Sequence, residues 1–586
     1  MEQWIETRKG GDFAGIGKQF HIDPVVARVI RNRDLVTKEE IEEYLYGDLR
    51  ALHSPHEMKD MDQAVELIFA KIAEGRKIRI IGDYDIDGVN ATYILFKALQ
   101  GLGAKVDYAI PNRITDGYGI NIHLIEQAMS EDVDMILTCD NGIAALEEIA
   151  YAKRHGMTVI VTDHHDIPYE ESEEGRIFKT SLADAIINPK QPDCTYPYKE
   201  LCGAAVAFWL VRALYERGNR PADEAFEFLE NAAFATVGDV MNLTGENRIL
   251  VKEGLKALQN TKNLGMRALI LQNELKMQQL NTYHIGFVLG PCMNASGRLD
   301  TAEYALKLLL AENESEAASI AKHLIELNNS RKALTADQLN LAFEKIETEG
   351  MEEDRVLVVY LPECHESLAG IIAGRIRERY YRPVFVLTKG EEGIKGSGRS
   401  IEEYSMYEEM NRVSELFTKF GGHPMAAGLS LKDGKAEEFR RRINESCTLT
   451  PEDLTEKVRI DVAMPIGYVS TELVEQLHIL EPFGKGNSKP VFADRNLHIR
   501  SARVFGKNRN VLKLELAGAG CYSRKAVYFG DADGFLDYLK EKFGAGEVDD
   551  MLRGKGNSIT ISIVYDLAID DYNGAYEPQV VIRRYR

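Results

Sequence analysis

The sequence predicts an α/β protein built from a parallel-sheet domain, a smaller α/β domain and a C-terminal β-barrel. In the first half of the chain, short apolar strands alternate with amphipathic helices, which is typical of a parallel sheet covered by helices. A stretch without glycine or proline, residues 299–348, predicts a helical connector to a second strand–helix–strand pattern. From about residue 456, short strands separated by turns predict the barrel.

The composition narrows the class of protein. A length of 586 residues predicts two or three domains, and 45% hydrophobic with 28% charged residues is ordinary for a soluble globular protein. No apolar run is long enough to cross a membrane, and the first residues, MEQWIETRKGGDF, lack the apolar core of a signal peptide, so we expect a cytoplasmic protein. Seven scattered cysteines without a CxxC pair favour a reducing compartment over a disulfide framework or zinc ribbon.

The charge does not suggest a nucleic-acid binder, since the formal net charge is −21. It does not exclude one either, because affinity for nucleic acid follows local basic grooves and bound cations rather than the total charge.

We expect four regions along the chain. Residues 1–300 hold the parallel-sheet domain with a helical N-terminal region, and residues 301–350 form the connector, with a break near Asn328–Ser330. Residues 351–455 form the smaller α/β domain and residues 456–586 the barrel. The connector would set the width of a cleft between two domains; the alternative is that its helices belong wholly to one domain.

The motif KIRIIGDYDIDG, residues 77–88, carries the first chemical signal. An apolar strand ends at Ile81 and is followed by aspartates at alternate positions, Asp83, Asp85 and Asp87. In extended backbone, alternate side chains face one way, so these carboxylates would converge. Such close like charges repel unless cations neutralise them, which favours a divalent-cation site over the alternative, an acidic turn.

The same pattern recurs along the first half. Asp140 ends a second apolar strand at 134–142, a third strand at 157–166 ends in Asp163, His164, His165 and Asp166, and Asp239 follows an apolar run that we also interpret as a strand end. Parallel sheets bind ligands outside the carboxyl ends of their strands, so these side chains would open onto one crevice.

The residue types predict the kind of metal. Carboxylates with one or two imidazoles suit manganese or magnesium better than zinc. Enough carboxylates are present to hold two ions, which can position and deprotonate a water and stabilise the leaving oxygen of a phosphodiester. A His-His pair alone is more often a surface or hydrogen-bonded pair than a ligand.

The second half carries a predicted anion site. Glycine-rich segments at 393–400 and 420–431 expose backbone N–H groups that can approach a phosphate closely. Arg399, with Ser397 and Ser400 beside it, offers a bidentate contact to an anion. The alternative for each segment is a plain turn, and for the arginine an ordinary surface residue.

The strands from residue 456 onward suggest a small barrel of the OB type. This region supplies local positive charge with one aromatic residue among it, at Arg500, Arg503, Lys507, Arg509, Lys513 and Phe505. Such a surface suits sequence-independent binding of single strands; the alternative is a solvated barrel face.

Taken together, the motifs DYDIDG, CDNG, TDHHD and VGDV resemble those of the DHH phosphoesterases. NRITDGYGIN at 112–121, CGAAVAFWL at 202–210 and GPCMNASGRLD at 290–300 are similar to the RecJ branch, and the segments after residue 351 resemble the DHH-associated domain, which faces the metal site across a cleft. The resemblance covers roughly residues 70–586.

The resemblance implies roles for individual residues. The residues that match metal ligands are Asp85, Asp87, Asp140, His164 and Asp239, with Asp83 as the family's first aspartate. Those assigned to catalysis are Asp140, Asp163 and His165, the last of which lies beside the scissile phosphate in the family. Those assigned to the terminal phosphate are Arg113, Arg298, Ser397 and Arg399, and His365 and His423 match positions near the cleft.

The function implied is that of a single-strand-specific 5′→3′ exonuclease of DNA repair and recombination. It would use two Mn²⁺ or Mg²⁺ ions and release mononucleotides from single-stranded DNA with a 5′ end. A single-strand-binding protein or a helicase is a candidate protein partner, and we expect a monomer that does not associate with a membrane.

The chain departs from the family at four places, with Cys364 where tryptophan is frequent, Ser367 for glycine, Cys292 for arginine and Ser488 for proline. These departures concern how nucleotides stack in the cleft and remove no metal ligand. Two alternatives stay open: a DHH phosphodiesterase for short oligonucleotides, cyclic dinucleotides or pyrophosphate, and a non-catalytic nucleic-acid-binding relative. The added barrel disfavours the first, and the intact ligands disfavour the second.

Overall fold

The computed structural model describes residues 2–586 except 114–115, 118, 173–174, 392, 519–521 and 571–575. The strands are β1 Glu2–Glu6, β2 Lys77–Ile81, β3 Lys105–Ala109, β4 Val133–Cys139, β5 Thr158–Thr162, β6 Tyr169–Ser172, β7 Gly175–Phe178, β8 Ala185–Ile187, β9 Leu357–Tyr360, β10 Val384–Lys389, β11 Ile394–Arg399, β12 Phe417–His423, β13 Ala426–Leu431, β14 Glu456–Ile460, β15 Val462–Ala463, β16 Phe492–Phe505, β17 Val511–Ala517, β18 Ser523–Phe529, β19 Thr560–Asp570 and β20 Glu577–Tyr585.

The helices are α1 Phe13–Phe20, α2 Pro24–Asn32, α3 Lys38–Tyr46, α4 Met61–Ala73, α5 Ile86–Gly101, α6 Ile122–Ser130, α7 Leu146–Arg154, α8 Gly203–Arg217, α9 Leu229–Gly238, α10 Gly245–Leu258, α11 Leu264–Gln272, α12 Thr282–His284, α13 Gly290–Leu299, α14 Glu303–Leu310, α15 Glu314–Thr348, α16 Ala369–Tyr380, α17 Met406–Asn411, α18 Ala436–Glu445, α19 Thr471–Leu477, α20 Ala532–Phe543 and α21 Ala545–Leu552. A π-helical segment, Ile285–Leu289, joins α12 to α13. None of the helices in the described ranges is long and apolar enough to cross a membrane.

The chain divides into two compact units. The terminal unit comprises Met1–Ala51, Leu243–Gly245 and Lys457–Arg586, and the central unit comprises Leu52–Asn242 and Glu246–Glu456.

The first sheet of the central unit has five parallel strands in the order β3-β2-β4-β5-β8. The chain passes from β2 to β3 on one side, and the next strand, β4, lies on the other side of β2. In such sheets ligands bind where the strand order reverses, outside the carboxyl ends of the strands. The predicted parallel-sheet fold is therefore confirmed, and its crevice lies at the ends of β2 and β4.

The turn after β2 differs from the prediction. The strand ends at Ile81, and α5 begins at Ile86 with Asp85 as its N-cap, whose side chain accepts the backbone N–H groups of Asp87 and Gly88. Aspartate is among the best N-cap residues, so the chain turns there. The three aspartates therefore do not share one extended strand, because Asp87 lies in the first turn of the helix.

Asp239 also follows a helix and not a strand, so this part of the prediction is wrong. The apolar run before it belongs to α9, whose sequence is LENAAFATVG. A buried helix and a buried strand give the same continuous apolar signal, and the alanines favour the helix.

Helix α15 runs without a break for 35 residues, which corrects the break predicted near Asn328–Ser330. Asn328 is buried, and its side chain donates to Cys292 Sγ and accepts from Arg331. Because these lateral bonds satisfy the amide, it does not compete with the helical backbone. The helix packs against α11, α13, α14 and α16.

The second sheet of the central unit has the order β12-β13-β11-β10-β9, with β9 and β10 parallel and the other neighbours antiparallel. Helix α16 packs on β10 and β11. This is the smaller α/β domain that the sequence predicts.

The terminal unit contains a barrel in which β16-β17-β18-β20-β19 close through pairing of β16 with β19. The predicted OB-type barrel is therefore confirmed. Helices α1 to α3 pack on this core, where Val26 and Ile30 join Leu477 and Leu480. The segment Met1–Ala51 thus belongs to the same unit as the barrel, whereas the sequence pattern assigns it to the parallel-sheet domain.

Candidate metal and phosphate sites

Six side chains, all predicted as ligands, meet at the carboxyl ends of the parallel strands. Their potential ligand atoms lie within 4.8 Å of one another inside two separate groups, Asp83, Asp85 and Asp140 in one, and Asp87, His164 and Asp239 in the other. A third group joins Asp140 and His164 to His165. We call the six side chains of the first two groups the acid cluster.

Local backbone geometry places these side chains. Asp140, directly after β4, has φ of 61°, a left-handed conformation that aspartate tolerates better than most residues. Asp239 is the residue after the last turn of α9, and its Oδ2 lies 3.8 Å from His164 Nε2. The same nitrogen lies 3.1 Å from Asp140 Oδ1 and 3.6 Å from Asp87 Oδ2, so one imidazole touches both halves of the cluster.

Helix α8 points its N-terminus at Asp87. The two carboxylate oxygens accept the backbone N–H groups of Gly203 and Ala204 at 2.6 and 2.7 Å. A helix N-terminus carries partial positive charge and stabilises a carboxylate there. The approach is close, since a Cβ on Gly203 would lie 2.6 Å from Cβ of Asp140.

Asp163 positions the two histidines through hydrogen bonds. Its Oδ1 accepts the backbone N–H groups of His164 and His165 at 2.7 and 3.1 Å and lies 2.7 Å from His165 Nδ1. Burial opposes these charges, yet the pKa of Asp163 falls to about 2, because His165 and its hydrogen bond stabilise the carboxylate. Against burial, the Asp163 charge raises the pKa of His165 to about 9. Burial lowers the pKa of His164 to about 4, which leaves that imidazole neutral.

The residues present fit divalent cations. Burial and the neighbouring carboxylates raise the pKa of Asp83, Asp85 and Asp140, because each ionised group repels the others. Within the described residues, Oδ1 of Asp83 and Nδ1 of His164 are buried without a hydrogen-bond partner. A set of carboxylate oxygens with one neutral imidazole, in two separate groups, matches the ligands that Mn²⁺ and Mg²⁺ prefer.

A cavity of about 580 Å³ begins next to the acid cluster, at Tyr84, and we call it the arginine pocket. All four predicted phosphate-binding residues line it, Arg113, Arg298, Ser397 and Arg399. The Arg113 guanidinium carbon lies 4.9 Å from the centre of the Tyr84 ring, a cation–π contact. Tyr84 stands between Asp83 and Asp85 in the chain, so cluster and pocket share one wall.

The arginines of the pocket concentrate positive charge. Burial, Arg113 and Arg331 lower the pKa of Arg298 to about 10, and burial also lowers the pKa of Arg399. Among the described residues, Arg113, Arg298 and Arg399 form no ion pair with a carboxylate. Buried cations without anionic partners are costly, so the pocket is suited to an anion.

Strand and helix geometry completes this pocket. Ser397 and Arg399 lie on the same face of β11, two residues apart, and Arg399 Nη1 donates to Ser397 Oγ at 3.2 Å. Gly370, in the first turn of α16, lies so close that a Cβ there would be 2.8 Å from Arg399 Nη2. The N-terminus of α16 therefore adds its partial positive charge to the pocket.

The two predicted cleft histidines lie at different places. His365 Nδ1 is 2.7 Å from Ser367 Oγ, and Ser367 lines the arginine pocket. His423 ends β12 and is exposed. Its charge contributes to the lowered pKa of Asp166, after the larger effect of the Lys190 hydrogen bond.

Sequence reasoning missed several residues of the pocket. Tyr84, Arg375 and Lys395 line it, and the charge of Arg331 reaches Arg298. Tyr84 lies inside the acidic motif and could have been singled out there. Arg331 lies on the helix of the predicted connector and Arg375 on the helix of the second strand–helix–strand pattern. Spacing along one helix does not indicate which residue faces a pocket.

The positive residues predicted on the barrel are partly neutralised. Arg509 pairs with Asp533 at 2.7 Å and Arg500 lies 3.6 Å from Glu515. Lys513 Nζ lies 5.4 Å from the ring centre of Phe505, which is 45% exposed. The exposed combination of a cation and an aromatic ring is thus present on β16 and β17.

Comparison with known proteins follows the same order of domains. Family models match residues 77–236 (DHH family, N-terminal domain), 353–448 (DHHA1 domain) and 460–584 (RecJ OB domain).

Curated relatives match over nearly the whole chain. The single-stranded-DNA-specific exonuclease RecJ of Bacillus subtilis is 35% identical over 570 residues, 97% of this chain and 68% of the relative. The protein of the same name from Escherichia coli is 32% identical over 604 residues, 99% of both chains.

Among solved structures, RecJ from Thermus thermophilus in complex with Mn²⁺ superposes with a TM-score of 0.81 at 27% identity, covering 100% of this chain and 79% of that one. An exonuclease RecJ bound to manganese gives a TM-score of 0.58 at 32% identity, covering 68% of this chain and 96% of the other. The domain models, the relatives and the fold agree with the resemblance seen in the motifs, and the chain belongs to the RecJ family of DHH phosphoesterases.

Proposed function

We propose that this chain is a metal-dependent exonuclease that hydrolyses single-stranded DNA from its 5′ end. The observation that carries the proposal is the shared wall between the acid cluster and the arginine pocket, formed by Tyr84. A hydrolytic centre next to a pocket for an anion suits a substrate that ends in a phosphate. The family relatives bear the name single-stranded-DNA-specific exonuclease, which agrees with this substrate.

The acid cluster would hold two Mn²⁺ or Mg²⁺ ions, one in each of its two groups. When bound, such ions lower the pKa of a water and stabilise the charge on the phosphodiester oxygens. The backbone N–H groups at the start of α8 hold the Asp87 side chain in place, and His164 remains neutral, as a ligand must.

We assign His165 to the scissile phosphate. Asp163 fixes one ring nitrogen of His165 and stabilises its positive charge, so that the imidazole can donate a hydrogen bond to a phosphate oxygen. Asp163 itself acts by holding this orientation, because both of its oxygens are engaged by N–H groups.

The arginine pocket would bind the terminal 5′ phosphate through Arg113, Arg298, Ser397 and Arg399. A bidentate guanidinium matches the geometry of a phosphate dianion. Release of mononucleotides follows if the pocket lies one nucleotide from the acid cluster. His365 would support Ser367 at the pocket wall, and His423 would lie farther along the strand.

Several sequence-based expectations remain part of this proposal. They are the boundaries at residues 300, 350 and 455, a monomeric state, a cytoplasmic location, roles in repair and recombination, and a single-strand-binding protein or helicase as partner. The barrel would add affinity for single strands through Phe505, Lys513, Arg503 and Lys507 by stacking and backbone attraction.

The test is digestion of an internally labelled 5′-phosphorylated oligonucleotide, as single strand and as duplex, with Mn²⁺ and with chelator. We expect mononucleotides from the single strand only, beginning at the 5′ end and only with metal. Binding without cleavage would contradict an enzymatic role, and cleavage restricted to very short oligomers would indicate a small-substrate phosphodiesterase.

A further inference from the structure

Two exposed aromatic side chains stack on each other in the central unit, outside the metal and phosphate sites. The rings of Tyr283 and Phe287 lie 5.1 Å apart between centres and 27° from parallel. The residues are 61% and 65% exposed. Aromatic rings usually contribute buried area, and an exposed apolar patch often marks a binding surface.

The backbone that presents this pair is uncommon. Phe287 lies within the π-helical segment Ile285–Leu289, and Tyr283 lies in α12 immediately before it. π-Helical turns are rare and occur frequently at functional sites. The π-helical backbone is therefore a second indication that this is a binding surface.

The π-helical segment that carries Phe287 packs on α9, the helix that Asp239 follows. A Cβ on Gly286, the residue before Phe287, would lie 4.0 Å from Cγ1 of Val237. Val237 stands two residues before the cluster residue Asp239, and both Val237 and Gly286 are half-exposed. The π-helical segment therefore lies against the end of α9, next to Asp239.

Ile86 forms a second connection. Its side chain lies between Gly238 and Gly290, where added Cβ atoms would be 2.5 and 3.1 Å from its Cδ1. Ile86 itself stands between Asp85 and Asp87. Gly290, which directly follows the π-helical segment, and Gly238, which precedes Asp239, thus both pack on one side chain within the metal-binding motif.

Val240 is a further exposed apolar residue beside the acid cluster. It directly follows Asp239, is 61% exposed and has φ of 57°, a conformation that is strained for a β-branched residue. Strain of this kind concentrates at binding and active sites.

We propose that Tyr283 and Phe287 form a stacking platform for the bases of the DNA strand at the acid cluster. This inference rests on the proposed function and assigns further substrate contacts to the same site. Aromatic faces stack on any base, which suits an exonuclease without sequence preference. Stacking also supplies affinity that needs no positive charge, in a chain whose net charge is −21.

The test replaces the aromatic faces while keeping apolar bulk, with the full-length double variant Tyr283→Leu/Phe287→Leu. The matched control is Tyr169→Leu/Phe178→Leu, another exposed aromatic pair, whose rings lie 6.0 Å apart at 62°. The affinity of each protein for a 5′-phosphorylated oligonucleotide is measured in chelator, where no cleavage occurs. A single abasic nucleotide is then moved along the strand.

For the wild-type protein we expect about a ten-fold loss of affinity when the abasic nucleotide occupies one or two positions near the 5′ end. The platform variant should lose about ten-fold with the intact strand and show no further loss at those positions. The control variant should behave as wild type, and Phe287→Trp, which keeps an aromatic face, should bind at least as tightly.

Normal affinity of the platform variant, or an unchanged dependence on the abasic position, would overturn the platform. Digestion of the intact strand with Mn²⁺ separates this result from the proposed function. Cleavage by wild type with normal binding by the variant removes only the platform, whereas absence of cleavage by wild type overturns the exonuclease itself.

Discussion

Arg298 and Ser367 are joined by two hydrogen bonds, one donated by each residue. The Arg298 guanidinium donates to the Ser367 carbonyl at 2.7 Å, and the Ser367 hydroxyl lies 3.1 Å from the Arg298 carbonyl. The same hydroxyl lies 2.7 Å from His365 Nδ1. Ser367 therefore fixes the position of an arginine of the pocket.

Removing this hydroxyl should weaken phosphate recognition without stopping hydrolysis. For Ser367→Ala we expect KM for a 5′-phosphorylated strand to rise about five-fold, corresponding to one lost hydrogen bond of about 1 kcal/mol, with kcat unchanged. Steady-state kinetics with 5′-phosphate and 5′-hydroxyl strands check this, and Ser367→Gly separates the hydroxyl from backbone freedom. A five-fold fall in kcat at constant KM would contradict the pocket role.

Burial and four neighbouring carboxylates, those of Asp87, Asp85, Asp239 and Asp83, raise the pKa of Asp140. Loss of groups that only support a ligand costs about 10–100-fold, so Asp140→Ala should lower kcat at least about 100-fold. Metal titration of activity is the measurement. Cleavage at the normal rate with Mn²⁺ would refute the site assignment.

Asp163→Asn should impair catalysis while leaving the cluster carboxylates in place. The amide cannot stabilise the His165 imidazolium, so we expect kcat to fall about 10–100-fold, the loss typical of a supporting residue. DNA affinity in chelator provides the control, because it should stay close to wild type. The melting temperature should fall, because the amide nitrogen cannot accept the N–H groups that engage both oxygens of Asp163. If only affinity fell, Asp163 would serve binding rather than the orientation of His165.

Ionisation of the Glu230 side chain should lower the stability of the central unit as the pH rises. Burial raises its pKa to about 6, although Thr261 donates a hydrogen bond to the carboxylate at 2.7 Å. Between pH 4.5, the usual pKa, and the folded value, the folded state binds more protons than the unfolded state, so stability falls with rising pH.

Glu230→Gln removes this penalty. At pH 8 we expect the variant to be more stable by about 2 kcal/mol, and below pH 4.5 the difference should vanish. Thermal unfolding at both pH values measures it, with the exposed Glu326→Gln as a control that should show no such dependence. An equal melting temperature at pH 8 would show that Glu230 is not penalised by ionisation.

The acid cluster could be predicted from the sequence because aspartates that follow several apolar runs predict converging carboxylates, which need cations to neutralise them. The element before each aspartate was less certain, as Asp239 and α9 show, since burial on all sides erases the difference between the helical and strand periods. Arg331 and Arg375 could not be assigned to the pocket, because only tertiary packing decides which face of a helix meets it.

The N-terminal helices illustrate the same limit. Helices α1 to α3 are amphipathic, and the sequence predicts them as supporting helices. Their apolar faces cover the barrel core, which is formed more than four hundred residues later in the chain. Nothing in local periodicity encodes that partner.

Helix α15 has a consequence for the length of the product. Its 35 residues rise about 52 Å without a break, and it touches both α13, which carries Arg298, and α16, whose first turn borders the arginine pocket. A continuous helix of this kind fixes the distance between its contacts with α13 and α16, because no loop interrupts it. The length of each released fragment would then depend on a distance that the protein fixes, and not on the sequence of the nucleic acid.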